Sequence, residues 1–270
     1  MADTTTTTFG VDALAEMFRR TEGEGRAAFL PYFPIGYPTY DESVKAIELM
    51  SAVGVDGFEI GVPFSDPLAD GPTNQAATQI ALENGTTVKH TLNAVKTLRE
   101  RGVTQPMLMF SYLNPLVAYG TEQFVRDARA AGADGLIIPD LPPEEAHLFA
   151  DVCREEGMAL VFFLAPTSNS KRIKLVSERA TGFIYVVTLT GITGERTELP
   201  EHLAEFIARL RAETNHPLVM GFGISTPEHA RMMTGLVNGF IVGSALVKAA
   251  THGVDAVRDL ADSLRHALDK

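Results

Sequence analysis

A carboxylate interrupts an apolar strand pattern in the stretch GFEIGVPFSDPLADGP, which runs from Gly57 to Pro72. Glu59 lies between Phe58 and Ile60, and because strand side chains alternate between two faces, Glu59 points away from its apolar neighbours. An ionised carboxylate inside a protein is costly unless it is paired. We therefore expect either a buried structural ion pair or a carboxyl group with a raised pKa, and the second is what a general acid–base needs.

Two more carboxylates, Asp66 and Asp70, follow in the proline-rich loop PFSDPLADGP. Each lies beside a turn-forming residue, so each could cap a surface turn as readily as it could reach a reaction site. The prolines stiffen the loop and would help to hold one aspartate over that site. The spacing alone does not decide which aspartate it is.

Three later segments are rich in Gly, Ser and Thr: TGITGE (190–195), GFGIST (221–226) and VGSALVK (242–248). Glycine lets a backbone approach an anion closely, and a helix that begins at Ser244 would direct free N–H groups towards it. Each segment taken alone could be an ordinary tight turn. Their succession favours a phosphate site built from backbone N–H groups, since no basic residue is obviously placed to neutralise the anion.

The elements that would position these residues alternate between apolar strands and helical patterns. Eight runs fit strands, at 27–33, 56–61, 106–112, 134–139, 158–164, 182–187, 217–223 and 238–243. Most are apolar on both faces, which is typical of a parallel sheet covered by helices. The alternative, a doubly wound open sheet, would usually carry a Gly-rich dinucleotide fingerprint after its first strand, and none follows.

We therefore predict an α/β fold, a single-domain (β/α)8 TIM barrel over 11–270, with an extra N-terminal helix near 11–20 and a disordered tail over 1–10. Catalytic groups of such barrels lie at the carboxyl ends of the strands and in the loops that follow. The usual phosphate position is the loops after strands 7 and 8, which matches the last two Gly-rich segments.

Composition excludes several classes of partner. The 270 residues carry a formal net charge of −11, which argues against nucleic acid and anionic membrane surfaces. Cys153 is the one cysteine, so an intrachain disulfide is impossible and a cytoplasmic location is the simplest expectation. The chain has no apolar run of the roughly 20 residues that cross a bilayer, and its start lacks the pattern of a secretory signal.

Other side chains give weaker signals. Tyr112 and Tyr185 belong to predicted strands at the catalytic rim or the interior, where a core role and a substrate contact fit equally well. The seven histidines fall on helices or on the helix-to-strand side and form no metal or triad spacing: His90, His147, His202, His216, His229, His252 and His266. We expect no metal site.

Seven segments together resemble the tryptophan synthase alpha chain family: FEIGVPFSDPLADGP, FSYLNPLVAYG, ADGLIIPDLPPEE, LAPTSNSKRI, GITGERTELP, GFGIST and VGSALVK. The resemblance runs from about Phe29 to Lys248 and covers nearly every βα loop. It implies a lyase that cleaves indole-3-glycerol phosphate to indole and glyceraldehyde 3-phosphate without a metal or organic cofactor. It also implies a beta-chain partner that is PLP-dependent, in an alpha2-beta2 tetramer.

The resemblance further assigns roles to individual residues. Glu59 would be the general acid–base that protonates indole C3 and helps to deprotonate a glycerol hydroxyl, and Asp70 would bind the indole N–H. Thr193 would close over the site and help to order Asp70. Substrate contacts are implied for Tyr32, Phe110 and Tyr112 at the indole, Tyr185 near the catalytic glutamate, and Gly194, Gly223, Gly243 and Ser244 at the phosphate. The resemblance assigns no catalytic role to Asp66, which we expect to be part of the structure of the loop.

Three alternatives stay open at this stage. A free-standing lyase would perform the same chemistry without a beta chain. A catalytically inactive subunit would only activate a partner, although the intact Glu59 and Asp70 speak against that role. Another phosphate-binding barrel, such as an isomerase of sugar or histidine biosynthesis, would turn over its own substrate instead.

Overall fold

Each of the eight apolar runs coincides with or overlaps a strand in the computed structural model, which describes residues 8–187, 201–221 and 223–269. The strands are β1 Ala28–Pro34, β2 Phe58–Gly61, β3 Met107–Phe110, β4 Gly135–Ile137, β5 Ala159–Leu164, β6 Ile184–Val187, β7 Leu218–Gly221 and β8 Gly239–Val242. Each strand pairs in parallel with the next, and β8 pairs with β1, so the sheet is a closed barrel. The predicted (β/α)8 barrel is confirmed, and the open sheet is excluded.

The helices surround this barrel. They are α1 Val11–Gly23, α2 Tyr40–Ala52, α3 Pro72–Glu83, α4 Val88–Glu100, α5 Leu113–Tyr119, α6 Thr121–Ala131, α7 His147–Glu155, α8 Ser170–Arg179, α9 Glu201–Glu213, α10 Pro227–Met233, α11 Ser244–Ala249 and α12 Val254–His266. Two 3-10 turns, Pro143–Glu145 and Ala250–His252, complete the helical elements of the described residues. The last helix, α12, packs against α2 and so closes the outer ring.

Local sequence signals start several of these helices. The side chain of Thr226 accepts a hydrogen bond from the backbone N–H of His229, and Pro227 occupies the first position of α10, where its missing N–H is no loss. Thr87 and His90 form a reciprocal capping box at the start of α4. These caps fix where the chain turns from each loop into its helix.

The extra N-terminal helix is confirmed as α1 and extends three residues beyond the predicted end. It closes the amino-terminal end of the barrel, where the backbone N–H of Gly10 donates to Asp134 Oδ1 over 2.7 Å and that of Val11 donates to the Gly157 carbonyl over 3.0 Å. Leu14 and Phe18 bury the apolar face of the helix. Residues 1–7 lie outside the described residues, so the predicted tail and domain limits stay predictions.

The core fills the barrel interior and the layer between strands and helices. Phe29, Phe58, Phe162 and Phe240 are among its largest fully buried side chains. Among the described residues, no helix combines the length and apolar character needed to span a bilayer. Because α1 covers the amino-terminal end of the barrel, the end that stays available for a site is the opposite one, where the strands terminate.

Candidate active site

A cavity of about 540 Å³ opens at the carboxyl ends of the strands. Such a volume lies in the range of small-molecule sites. Both acidic and aromatic side chains line it, together with a rim of small residues from the loops after β7 and β8. The cavity lies at the end of the barrel where the fold predicts catalysis.

Glu59 lies in β2, in register with Tyr32 of β1 and Leu108 of β3, and lines the cavity. Its side chain is buried, and within the described residues its Oε1 has no hydrogen-bond partner. Burial, and secondarily the negative charge of Asp70, raises the pKa of Glu59 well above its usual range. Because Glu59 is buried and forms no ion pair among the described residues, the structure favours a raised pKa over a structural ion pair.

Asp70 reaches the same cavity from the loop between β2 and α3. The hydroxyl of Tyr112 donates to Asp70 Oδ2 over 2.8 Å and accepts a hydrogen bond from the backbone N–H of Ala69 over 2.9 Å. Burial raises the pKa of Asp70, while the hydrogen bonds from Tyr112 and Asn74 oppose that rise because they favour the ionised form. Two carboxyl groups in different surroundings can have separate tasks.

Asp66 is separated from this arrangement. It is exposed, and its carboxylate accepts a hydrogen bond from the neighbouring Ser65 hydroxyl. Its backbone carbonyl accepts the N–H of Leu68, which makes a turn at the tip of the loop. The structure thus distinguishes two aspartates that their sequence surroundings leave equivalent.

Tyr32, Phe110 and Tyr185 line the cavity, as the resemblance implies for substrate contacts. Tyr32 and Phe110 meet edge to face with ring centroids 5.6 Å apart. Burial raises the pKa of Tyr32 and that of Tyr185 well above their usual range, so both hydroxyls stay neutral. Tyr112 contacts the lining residues Ala69, Asp70 and Phe110 and holds the loop and Asp70 in place, and its expected contact with the indole stays a prediction.

Phe163 and Asn74 are two of the lining residues that were not expected from the sequence. Phe163 of β5 packs against Tyr185 with ring centroids 4.7 Å apart, and Asn74 lines the cavity from the first turn of α3. The strand alternation of the two phenylalanines near the end of β5 could have indicated Phe163. No signal in the sequence distinguished Asn74 from a surface residue in the first turn of a helix.

The small residues of the predicted phosphate end also line the cavity. Gly223, Gly243 and Ser244 lie on one rim, where α11 begins. Gly243 has little room for a side chain, since a Cβ there would approach Tyr32 Cδ1 to 3.1 Å. Thr193 and Gly194 lie outside the described residues, so their predicted roles are not tested.

The closed barrel, the two carboxyl groups at the carboxyl ends of the strands and the glycine-lined rim define a barrel enzyme of the acid–base type. A family model described as tryptophan synthase alpha chain matches residues 18–268. The tryptophan synthase alpha chain of Roseiflexus sp. (strain RS-1) is 46% identical over 256 residues, covering 92% of this chain and 98% of the relative. That of Deinococcus radiodurans is 42% identical over 266 residues, covering 96% of each.

A solved structure of Mycobacterium tuberculosis tryptophan synthase superposes with a TM-score of 0.89 at 36% identity, covering 95% of this chain and 98% of the other. A solved chain from Aquifex aeolicus gives 0.88 at 38% identity, covering 96% of this chain and 99% of its own length. The chain belongs to the tryptophan synthase alpha chain family.

Proposed function

We propose that this chain cleaves indole-3-glycerol phosphate to indole and glyceraldehyde 3-phosphate, as the alpha subunit of a tryptophan synthase. The observation that carries the proposal is the convergence of Glu59 and Asp70 on one cavity, each with a raised pKa, in a chain of this family. A retro-aldol cleavage needs a proton at a ring carbon and a base at a hydroxyl, and it also needs a partner for the ring nitrogen. Two carboxyl groups with separate surroundings supply these functions.

The lining of the cavity suits the two ends of the proposed substrate, and so defines how the substrate would be oriented. Tyr32, Phe110 and Phe163 offer an aromatic wall for the indole ring. Gly243 and Ser244 offer backbone N–H groups and a hydroxyl for the phosphate, with the glycine allowing close approach. The glycerol chain would span the distance between the wall and the rim, beside Glu59.

The proton balance follows from the two carboxyl groups. Glu59, neutral because burial raises its pKa, gives its proton to indole C3, while ionised Asp70 accepts the ring N–H and stabilises the resulting positive charge. The Glu59 carboxylate then takes the proton of the hydroxyl on the carbon attached to the ring. The C–C bond breaks, its electron pair restores the indole ring, the aldehyde forms, and Glu59 is protonated again.

The chain's own residues account for every proton in this scheme, so the proposal assigns no metal or organic cofactor to this chain. PLP is expected only in the beta chain, which condenses indole with serine. A cytoplasmic location, expected from the single cysteine, remains a prediction.

An exposed apolar loop tip supports a protein partner at the mouth of the barrel. Leu68 is 91% exposed and lies two residues before Asp70, on the loop that carries that catalytic candidate. Single exposed apolar side chains are common on protein surfaces, so the relevance of Leu68 comes from its place on the loop that carries Asp70. We propose that the beta chain covers this loop, in the alpha2-beta2 assembly that the family resemblance implies.

Indole release from indole-3-glycerol phosphate, measured for the purified chain with and without a beta chain, tests the function. We expect release that rises on addition of the beta chain. Glu59→Gln should lower the rate by about 10²–10⁴, the usual contribution of a general acid–base. Asp66→Asn removes a carboxylate outside the cavity and should leave the rate of the chain without its beta partner unchanged. No indole with either preparation would refute the reaction, and a rate indifferent to the beta chain would refute the subunit role.

A further inference from the structure

Asp70 ends a four-residue turn in the loop between β2 and α3. The backbone N–H of Asp70 donates to the Pro67 carbonyl over 3.0 Å, so the chain folds back on itself at this point. The two central residues of the turn, Leu68 and Ala69, are exposed. A turn whose centre lies in water keeps a single shape only where other groups hold it.

The side-chain amide of Gln75, on α3, closes this turn from the helix side. Its Nε2 lies 2.9 Å from the carbonyl oxygen of Asp70 and 3.4 Å from that of Pro67. An amide nitrogen carries two hydrogens, so one side chain can serve both carbonyls. The backbone N–H of Gln75 donates to the Gly71 carbonyl over 3.0 Å, and it is therefore the side chain that reaches the turn.

The orientation of this amide follows from its surroundings. Both of its neighbours in the turn are carbonyl oxygens, and the opposite orientation would turn the amide oxygen of Gln75 towards them. The amide thus joins the first and the last residue of the turn, in addition to the backbone bond between them.

Tyr112 holds the same turn from another side. It precedes α5, and its hydroxyl contacts the carboxylate of Asp70 and the N–H of Ala69. Gln75 contacts backbone carbonyls instead. The side chain and the backbone of Asp70 are therefore held separately, by residues of different elements, and a carboxylate that must meet a substrate atom in one geometry gains from both contacts.

We propose that Gln75 is a positioning residue for the proposed reaction. Its amide closes the turn of residues 67–70 and so sets the backbone position from which Asp70 reaches the ring nitrogen. This inference rests on the proposed function and deepens it, because it adds a residue outside the cavity lining that controls the geometry of a candidate catalytic group.

The first test is indole release by the full chain with Gln75→Met or Gln75→Glu. Methionine has a similar length and no donor, and an ionised glutamate has no donor and turns an oxygen towards both carbonyls. The three residue types have similar helix propensities, so α3 is not weakened. We expect kcat/KM to fall about two- to tenfold, the loss of one ordinary hydrogen bond, while Tm stays almost unchanged.

Gln79→Met is the matched control. Gln79 lies one helical turn after Gln75 and is also exposed, but its amide donates to Glu83 Oε1 over 2.9 Å instead of to the loop. Its replacement should leave both kcat/KM and Tm unchanged.

The second test combines Gln75→Met with Tyr112→Phe and shows whether Gln75 acts through Asp70. Losses from two residues that act on one group do not simply multiply, and they depart from the product by about twofold or more in either direction. We expect such a departure in kcat/KM for this pair. Gln79→Met combined with Tyr112→Phe should give the simple product.

The third test needs no turnover. NMR relaxation gives the order parameters of the Ala69 and Asp70 N–H groups, which are about 0.85 for a rigid backbone and below about 0.6 for a flexible one. We expect values close to the rigid limit in the unmodified chain and in Gln79→Met, and clearly lower values in Gln75→Met.

Each contrary result overturns one part of the proposal. Low order parameters in the unmodified chain, or unchanged ones in Gln75→Met, overturn the hold on the turn. An unchanged kcat/KM in both Gln75 variants, a large parallel loss of Tm, or losses that multiply with those of Tyr112→Phe overturn the action through Asp70. If the unmodified chain releases no indole, the proposed function fails, and the order parameters still decide whether Gln75 holds the turn.

Discussion

The hydroxyl of Tyr112 is the contact on which the position of Asp70 most depends. It donates to Asp70 Oδ2 over 2.8 Å and accepts the backbone N–H of Ala69 over 2.9 Å, so one oxygen fixes both the carboxylate and the loop. Tyr112→Phe removes both bonds and leaves the ring and its packing against Phe64 and Phe110. The variant should fold, but Asp70 should be less well held and harder to ionise.

The expected magnitude follows from the type of bond. A hydrogen bond to a charged group contributes about 1.5–3 kcal/mol, which corresponds to roughly a 10- to 150-fold loss of kcat/KM if the whole bond is lost in the transition state. Burial already raises the pKa of Asp70, and the Tyr112 bond opposes that rise. Without the bond the pKa rises further, so activity that needs ionised Asp70 should be lost at a higher pH as the solution is acidified.

The assay is steady-state indole release across pH, with Tyr119→Phe as the matched control. The Tyr119 hydroxyl also donates to an aspartate, Asp127 Oδ2 over 2.6 Å, but this pair lies between α5 and α6, away from the cavity. The control should keep both rate and pH profile. A Tyr112→Phe enzyme with an unchanged kcat/KM and an unmoved acid limb would refute the view that Tyr112 holds Asp70 in its working position.

Three further predictions concern stability and the cavity wall. The pKa of Glu59 is raised on folding, so its neutral form is favoured in the native state, and the wild-type chain loses stability as the pH rises towards that pKa. Glu59→Gln should therefore raise Tm little near pH 4 and increasingly at higher pH. A constant difference in Tm across pH would contradict this. Gly221→Ala would place a Cβ 2.0 Å from the Tyr185 hydroxyl, so the tyrosine ring must move. Binding of the substrate analogue indole-3-propanol phosphate, measured by titration, should therefore weaken. An unchanged affinity would show that the ring has room for the added methyl group. Asp134→Ala leaves the mostly buried Arg99 without its carboxylate partner. The free energy of unfolding, measured by urea denaturation, should fall by about 3–5 kcal/mol. Asp66→Asn removes an exposed carboxylate and should lower it little.

The sequence by itself determined the architecture and one candidate catalytic group, Glu59. Strand alternation and helix caps act over a few residues, so eight buried strands and their order could be predicted from local patterns. The same alternation directed Glu59 away from Phe58 and Ile60 and into the barrel, where burial, and secondarily the charge of Asp70, raises its pKa. The alternation is a property of a short segment, and closure of the barrel then buries the side chain that it directs inwards.

Only the tertiary structure decided which groups share the cavity. Asp66 and Asp70 have similar neighbours in the sequence, and family resemblance selected Asp70 where spacing could not. In the folded chain Tyr112, 42 residues further on, reaches Asp70, while Asp66 stays in solvent. The contact of Tyr112 with the indole stays a prediction, whereas its bond to Asp70 depends on how the β2–α3 loop folds over the end of β3.

The position of Asn74 has the same origin. Nothing in its own segment distinguishes an asparagine in the first turn of a helix from a surface residue. Its side chain becomes part of the cavity lining because barrel closure brings β8, and with it Gly243, beside the start of α3. Contacts between residues far apart in the chain depend on the register of all eight strands together, so local pattern determined the elements and closure of the barrel determined the site.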